Sequence, residues 1–434
     1  MRYLNKILQI IPVLLCMQVI ASERPGSEVD PTLPPRLPLN ELRVFVEAFD
    51  RVSSAYVEEI DDRTLLEKAI KGMLSQLDPH SAYLDRASFS DLQEATTGKY
   101  GGLGLEVGME DGFVKVISPM DDTPAAKAGI ESGDLIIELD GLPVKGMSLS
   151  EAIKGMRGDA GSEVKLTIVR KGNPVPKELV LIREIIQVVS VRQRFLEDGY
   201  GYLRIAQFQS KTGAEVEKAV EKLYENGRLS GLIIDLRNNP GGVLQSAVDV
   251  SDIFISEGLL VYTSGRLSNA DLRFNATTPD ATGGVPIVVL VNEGTASASE
   301  IVAGALQDHN RAVIMGTSTF GKGSVQTILP LNNEKAIKLT TALYFTPNGR
   351  SIQAEGIIPD IWVDRSKVTK LKGNPWRIKE KDLPGHLANR NGENVNQEHG
   401  NNRDLSTQDY QLNEALTLLK GLNILARKST QPQG

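Results

Sequence analysis

The sequence predicts a multidomain α/β protein: a helical N-terminal segment, an inserted β-rich unit with two helices, an α/β core and a C-terminal helix. Three observations carry this. At 434 residues the chain exceeds what one compact core supports, so two or three domains are expected. Apolar residues recur at helical spacing near both ends, whereas residues 98–184 read as short strands punctuated by glycines. Beyond Ile185, strands and helices alternate, the pattern of a mostly parallel sheet covered by helices.

In chain order, residues 1–21 fit an export signal. Arg2 and Lys6 flank an apolar run that ends at Val19-Ile20-Ala21. At about 14 residues the run is short for a membrane span, which needs roughly 20; the competing reading is an uncleaved anchor. The only cysteine, Cys16, lies inside this run, after a bulky Leu15 that does not suit lipoprotein cleavage. The mature chain therefore has no disulfide and no cysteine nucleophile. Residues 22–39 form a proline-rich linker.

Residues 40–97 make the helical segment. Leu42, Phe45, Val46 and Phe49, then Leu65, Leu66, Ala69, Ile70, Met73 and Leu74, mark two helices joined near 56–62. Asp78-Pro79 stops the second. In the unit 98–184, Gly101-Gly102-Leu103-Gly104-Leu105-Glu106-Val107 leads into a strand. Further strands are expected at 113–118, 134–139, 164–170 and 177–183, with helices at 125–129 and 148–156.

The core, 185–366, places strands at 200–205, 231–236 and 285–291 and helices at 213–226, 247–255 and 298–307. Residues 367–434 turn polar before helical spacing resumes through Leu412, Leu416, Leu419, Leu422 and Leu425. That helix either docks a partner or packs on its own domain or a second copy. Hydrophobic residues make up 41% and charged ones 24%, a globular composition, and a net charge of -7 argues against a nucleic-acid partner.

The chemistry concentrates after the strand at 285–291. There Glu293-Gly294-Thr295-Ala296-Ser297-Ala298-Ser299-Glu300 delivers serines to a helix start. Serine needs a base to become a nucleophile. Of the four histidines, His309 sits twelve helical residues beyond Ser297, about 18 Å along the axis. His386 and His399 lie in the polar tail, so a Ser-His-Asp triad would require the fold to bring up His80.

Lys322, in Phe320-Gly321-Lys322-Gly323-Ser324, can serve if it is held neutral. With an ordinary pKa of about 10.4, neutrality at pH 7 requires roughly 4.6 kcal/mol of differential environment, within reach of burial. The competing reading is an exposed turn lysine. An extended chain here puts Lys322, Ser324 and Gln326 on one face, where Gln326 can orient the amine.

Ser297-Ala298-Ser299-Glu300 also fits a capping box, which is compatible with a nucleophile at a helix N-terminus. The Ala298 amide is placed for an oxyanion hole, and Pro240-Gly241-Gly242, after the strand at 231–236, can offer a second donor. Pattern alone leaves Ser297 and Ser299 as alternatives. Residues 316–322 match seven positions of a phosphate-binding loop. Gly323 stands where a magnesium-binding serine or threonine belongs, and a strand follows where a helix is required.

Together these segments resemble the carboxyl-terminal processing, or tail-specific, serine proteases of bacteria and plastids. The resemblance spans residues 39–365 and rests on Gln76-Leu77-Asp78-Pro79-His80-Ser81, 100–107, 236–242, 295–300 and 320–326. It implies a serine-protease core with Ser297 as nucleophile, Lys322 as general base and Gln326 supporting the lysine. Gly242 and Ala298 would supply the oxyanion amides, and Glu300 would assist structurally.

The unit 98–184 resembles a PDZ domain, with amides around Leu103, Gly104 and Leu105 holding a terminal carboxylate and 148–156 forming the other wall. The resemblance further implies an exported, periplasmic endopeptidase acting on proteins with accessible C-terminal tails, without metal or organic cofactor. Relatives self-associate through their terminal helices, here 42–77 and 410–426. Some work with helical-repeat lipoprotein adaptors and degrade enzymes that cut the cell-wall mesh. The alternative is a catalytically silent PDZ scaffold presenting peptides to partners, which would not need Ser297, Lys322 and Gln326.

Overall fold

A computed structural model describes residues 38–429 apart from 121, 226, 332–333, 370–379, 381–382 and 388–404. The expected export signal, and the linker up to residue 37, lie outside the described residues. The chain divides into two compact units between Gly72 and Met73.

Helices α1 (Leu39–Ala55) and α2 (Asp62–Ser75) form where the periodicity places them. The Asp61 carboxylate caps the start of α2 by accepting from the Thr64 amide at 3.0 Å. Leu42, Phe45 and Val46 on α1 are exposed.

The second unit opens with strand β1 (Ala82–Leu84), helix α3 (Arg86–Thr97) and strand β2 (Lys99–Gly102). Asp85 caps α3, and Gly98 ends it at φ +68°, a left-handed position that glycine takes without strain. A β-rich module follows: β3 (Leu105–Glu110), β4 (Phe113–Pro119), α4 (Pro124–Lys127), β5 (Leu135–Leu139), β6 (Leu142–Pro143), α5 (Leu149–Met156), β7 (Glu163–Arg170) and β8 (Asn173–Ile182). Its antiparallel sheet runs β3-β4-β5-β7-β8. Val114, Val116, Ile136, Leu166 and Ile168 pack there against Ala152 and Met156 of α5. Strand β9 (Glu184–Gln187) returns to pair with β2 and closes the insertion.

The core continues through β10 (Val191–Glu197), β11 (Tyr200–Ile205), α6 (Thr212–Glu225), β12 (Gly231–Asp235), α7 (Leu244–Phe254), β13 (Leu259–Gly265), β14 (Arg273–Asn275), β15 (Ile287–Val291), α8 (Ala298–Asp308), β16 (Ala312–Gly316), β17 (Ser324–Leu331), β18 (Lys335–Phe345) and β19 (Ile361–Trp362). The main sheet runs β10-β11-β12-β15-β16-β19 and is parallel except at β10. Every residue of β12 and β15 is buried, as expected of strands covered on both faces. Leu232, Ile234, Ile287 and Val289 pack on one face with α6, α7 and α8, while Ile233, Val288 and Leu290 fill the other.

What covers that second face settles the role of the terminal helix. After the short α9 (Leu405–Gln408), α10 (Tyr410–Ser429) lays Leu412, Ala415, Leu416 and Leu419 onto Ile233, Val288, Leu290 and Met315. Most of the expected stripe therefore packs within its own domain, one of the alternatives the sequence left open, while Leu425 near its end stays exposed. Arg237, just past β12, fastens the helix by gripping both Asp235 and Asp409 at 2.7 Å. Leu416→Ala should cost about 2–5 kcal/mol of stability through the cavity it leaves. Denaturant unfolding that left the midpoint unmoved would refute this packing role.

A second, antiparallel sheet, β1-β18-β13-β14 with β17 on β18, was not foreseen. It forms one wall of the site described next.

Candidate active site

The five residues nominated for catalysis and the oxyanion converge on one cavity of about 460 Å³: Ser297, Lys322, Gln326, Gly242 and Ala298 all line it. The main sheet contributes the first layer. Strand β15 ends at Val291, and after a short loop Ser297 stands at the start of α8 with φ 57° and ψ −116°. That conformation is strained for a non-glycine residue, by on the order of 1–3 kcal/mol, and such strain gathers at functional positions. It turns the side chain out of the helix start into the cavity.

Ser299 cannot share that role. It is fully buried, and its hydroxyl donates to the Asn239 carbonyl at 3.0 Å. Geometry thus separates the two serines that pattern could not. The glutamate half of the capping box forms, with Glu300 accepting from the Ser297 amide at 2.7 Å. Its carboxylate does more, because it also accepts from Thr319 (2.5 Å), Gly321 (2.7 Å) and Lys322 (2.9 Å). One buried carboxylate therefore ties the serine turn to the lysine loop. Burial pushes the Glu300 pKa up, against these hydrogen bonds, which favour the ion.

The loop after β12 brings the second amide. Asn239 holds it through Ile205 O (2.9 Å) and the Gly241 amide (2.9 Å). Gly241 and Gly242 have φ of 96° and 144°. A Cβ on Gly241 would meet the Ala296 carbonyl at 2.6 Å, and one on Gly242 the Phe208 carbonyl at 2.0 Å. Only glycines allow this backbone to lie against the serine turn. Ala298, as the first residue of α8, leaves its N–H without an intrahelical acceptor.

Lys322 is half-buried rather than a free turn lysine. Burial pulls its pKa down, and the Lys338 ammonium pushes the same way, while Glu300 and Asp78 oppose them. Lys322, Ser324 and Gln326 line the cavity together with Val325, and a bulge between Val325 and Gln326 interrupts the strict alternation expected of an extended chain. The Gln326 amide donates to Ser324 (3.0 Å) and Thr340 (3.3 Å), so in this structure it braces β17 against β18. Because Ser324–Leu331 is a strand, the phosphate-loop reading lacks its helix.

The Gln76–Ser81 motif docks here too. The Asp78 carboxylate accepts from the His80 and Ser81 amides (2.7 and 2.9 Å) and from the Thr340 hydroxyl (3.1 Å). Burial and the charge of Lys322 both lower the pKa of His80, which places it in the field of the lysine.

Several cavity residues escaped the sequence reading: Leu92, Ala95 and Thr96 of α3, and Lys338 and Tyr344 of β18. No local pattern marks them. Lys338 and Tyr344 reach the site through sheet register, with Lys338 facing Ala82 of β1 and Ile328 of β17, and α3 reaches it by lying against β18.

Leu103, Gly104 and Leu105 line a separate groove of about 160 Å³, walled by Ile153 and Met156 of α5. Gly104 has φ +74°, and a Cβ there would lie 2.4 Å from Thr123, so the loop depends on glycine.

A model for peptidase family S41 matches residues 199–363, one for a PDZ domain matches 101–180, and one for the N-terminal domain of the activating protease CtpB matches 19–88. Over 388 residues the chain is 47% identical to a carboxy-terminal-processing protease of Bartonella bacilliformis, covering 88% of each. The chain belongs to the carboxy-terminal-processing proteases of peptidase family S41.

The carboxy-terminal processing protease CtpA of Bacillus subtilis is 35% identical over 332 residues, 75% of this chain and 69% of that one. Among solved structures, a photosystem II D1 C-terminal processing protease shares 34% identity over 75% of this chain and 93% of its own, with a TM-score of 0.45. As a carboxy-terminal-processing protease the protein is a serine-type peptidase, which sets aside the silent scaffold. Its PDZ domain implies protein substrates with accessible C-terminal tails.

Proposed function

We propose that this protease is exported and cleaves proteins by a Ser-Lys acyl-enzyme mechanism, with substrates gripped by their C-termini in the PDZ groove. One observation carries the mechanism: the strained Ser297 and the half-buried Lys322 line a single cavity. Neutral Lys322 Nζ takes the proton from Ser297 Oγ as Oγ attacks the peptide carbonyl. The Gly242 and Ala298 amides receive the developing oxyanion. Collapse expels the amine, which takes its proton from Lys322. Water, deprotonated by the now neutral Lys322, then attacks the acyl-enzyme, and the lysine returns that proton to Ser297 Oγ as the acid leaves.

The Leu103–Leu105 loop would receive the substrate's terminal carboxylate through backbone amides. Export to the periplasm is supported by the signal pattern at 1–21. The exposed apolar residues of α1 support self-association through the N-terminal helices. Resemblance to relatives supports a helical-repeat lipoprotein adaptor and control of cell-wall-cutting enzymes.

The test is cleavage of an unfolded protein with an apolar C-terminal tail, presented with a free or an amidated terminus. Wild type should cut the free-ended substrate faster, and Ser297→Ala should cut neither. Cleavage by Ser297→Ala would remove Ser297 as nucleophile, and equal rates on both termini would remove the carboxylate grip.

A further inference from the structure

Lys322 hangs between Gly321 and Gly323, so the local backbone imposes little preference on where its side chain points. A general base nevertheless has to be held to within a fraction of an ångström. On the N-terminal side, Glu300 supplies the restraint through the Gly321 and Lys322 amides. On the C-terminal side, the restraint comes from Tyr344. Its hydroxyl donates to the Lys322 carbonyl oxygen, and its own amide donates to the Gly323 carbonyl at 2.9 Å.

Tyr344 is 1% exposed, and its ring shares the cavity wall with Ser297 and Lys322. A tyrosine buried for packing alone has no need of its hydroxyl, and a buried hydroxyl requires a partner. Here the partner is the peptide group of the base.

We propose that Tyr344 is a positioning residue for the peptidase reaction: its hydroxyl fixes the peptide plane that follows Lys322 and so directs the lysine amine at Ser297. This inference rests on the Ser-Lys mechanism above. The ring supplies packing and the oxygen supplies aim, so the two roles separate in Tyr344→Phe, which keeps the first and deletes the second.

The experiment uses the full-length enzyme and a tail-bearing peptide substrate. Active sites are titrated with a fluorophosphonate probe, and thermal unfolding is recorded alongside kcat and KM. Tyr344→Phe should lower kcat per titrated site by about 10–100-fold, the loss expected of a misplacement near 1 Å, with KM within roughly 3-fold of wild type. A kcat within about 2-fold of wild type would overturn the proposal. So would a loss that vanishes once rates are normalised to folded, titratable enzyme, because the hydroxyl would then be merely structural. Lys322→Met is measured in parallel. If it still turns over, the Ser-Lys mechanism itself fails. If it is inactive while Tyr344→Phe runs at full rate, only the role of Tyr344 fails.

Discussion

Replacing Lys322 with methionine should reduce turnover on the order of 10⁴-fold or more while leaving the fold intact. Methionine fills a similar volume without an amine, so Ser297 keeps its place at the start of α8 but loses its proton acceptor. The unfolding midpoint should stay or rise. A lysine whose folded pKa lies below its unfolded value costs nothing above the unfolded value, and its penalty grows as pH falls through the window beneath it.

The same depression sets the pH dependence. In the proposed mechanism only neutral Lys322 accepts the serine proton, so wild-type kcat/KM should climb with pH and level off below the ordinary lysine range. Burial and Lys338 move that limb down, Glu300 and Asp78 move it up, and His80 stands nearby. Lys338→Met removes a repelling cation, so the limb should shift to higher pH. Turnover retained by Lys322→Met, or a limb that Lys338→Met leaves in place, would count against this account.

The second large effect is expected at Glu300. Glu300→Ala would strand the buried Gly321 amide and Thr319 hydroxyl and the part-buried Ser297 and Lys322 amides. Each unsatisfied group costs about 1–3 kcal/mol, part of which relaxation recovers, so a destabilisation of about 3–5 kcal/mol is expected.

Glu300→Gln is the sharper probe. One oxygen is retained, but an NH₂ group now faces N–H donors that it cannot accept from. The NH₂ then displaces either the Ser297 and Lys322 amides, which share one oxygen, or the Gly321 amide and the Thr319 hydroxyl, which share the other. Activity should fall at least about 10-fold in a protein that remains folded. Full activity in Glu300→Gln would show that the shared carboxylate does not set the geometry.

The candidate site was legible wherever its signal is local. A buried strand, small residues and a serine just before a helix make a nucleophile turn readable, and Pro240-Gly241-Gly242 announces backbone that must approach closely. The helices α1, α2 and α5 follow from apolar periodicity, and β12 and β15 from unbroken apolar runs. Gln326 was legible as a neighbour of Lys322, but its partners Ser324 and Thr340 depend on how β17, bulged between Val325 and Gln326, pairs with β18.

By itself, then, the sequence determined the modular order, the serine and lysine segments and the glycines their backbones require. These are decided within a few residues, by dihedral limits and helix-start chemistry. Tertiary structure decided the rest. It put Ser297 on the cavity and buried the Ser299 hydroxyl against Asn239. It packed Leu412, Leu416 and Leu419 of α10 on its own sheet and bound the helix by Arg237 to Asp409 across 172 residues of chain. It also brought Asp78 to Thr340 across 262 residues, and set Tyr344 against the lysine peptide. Burial and strand register are properties of contacts between distant segments, and no local pattern in either segment encodes its partner.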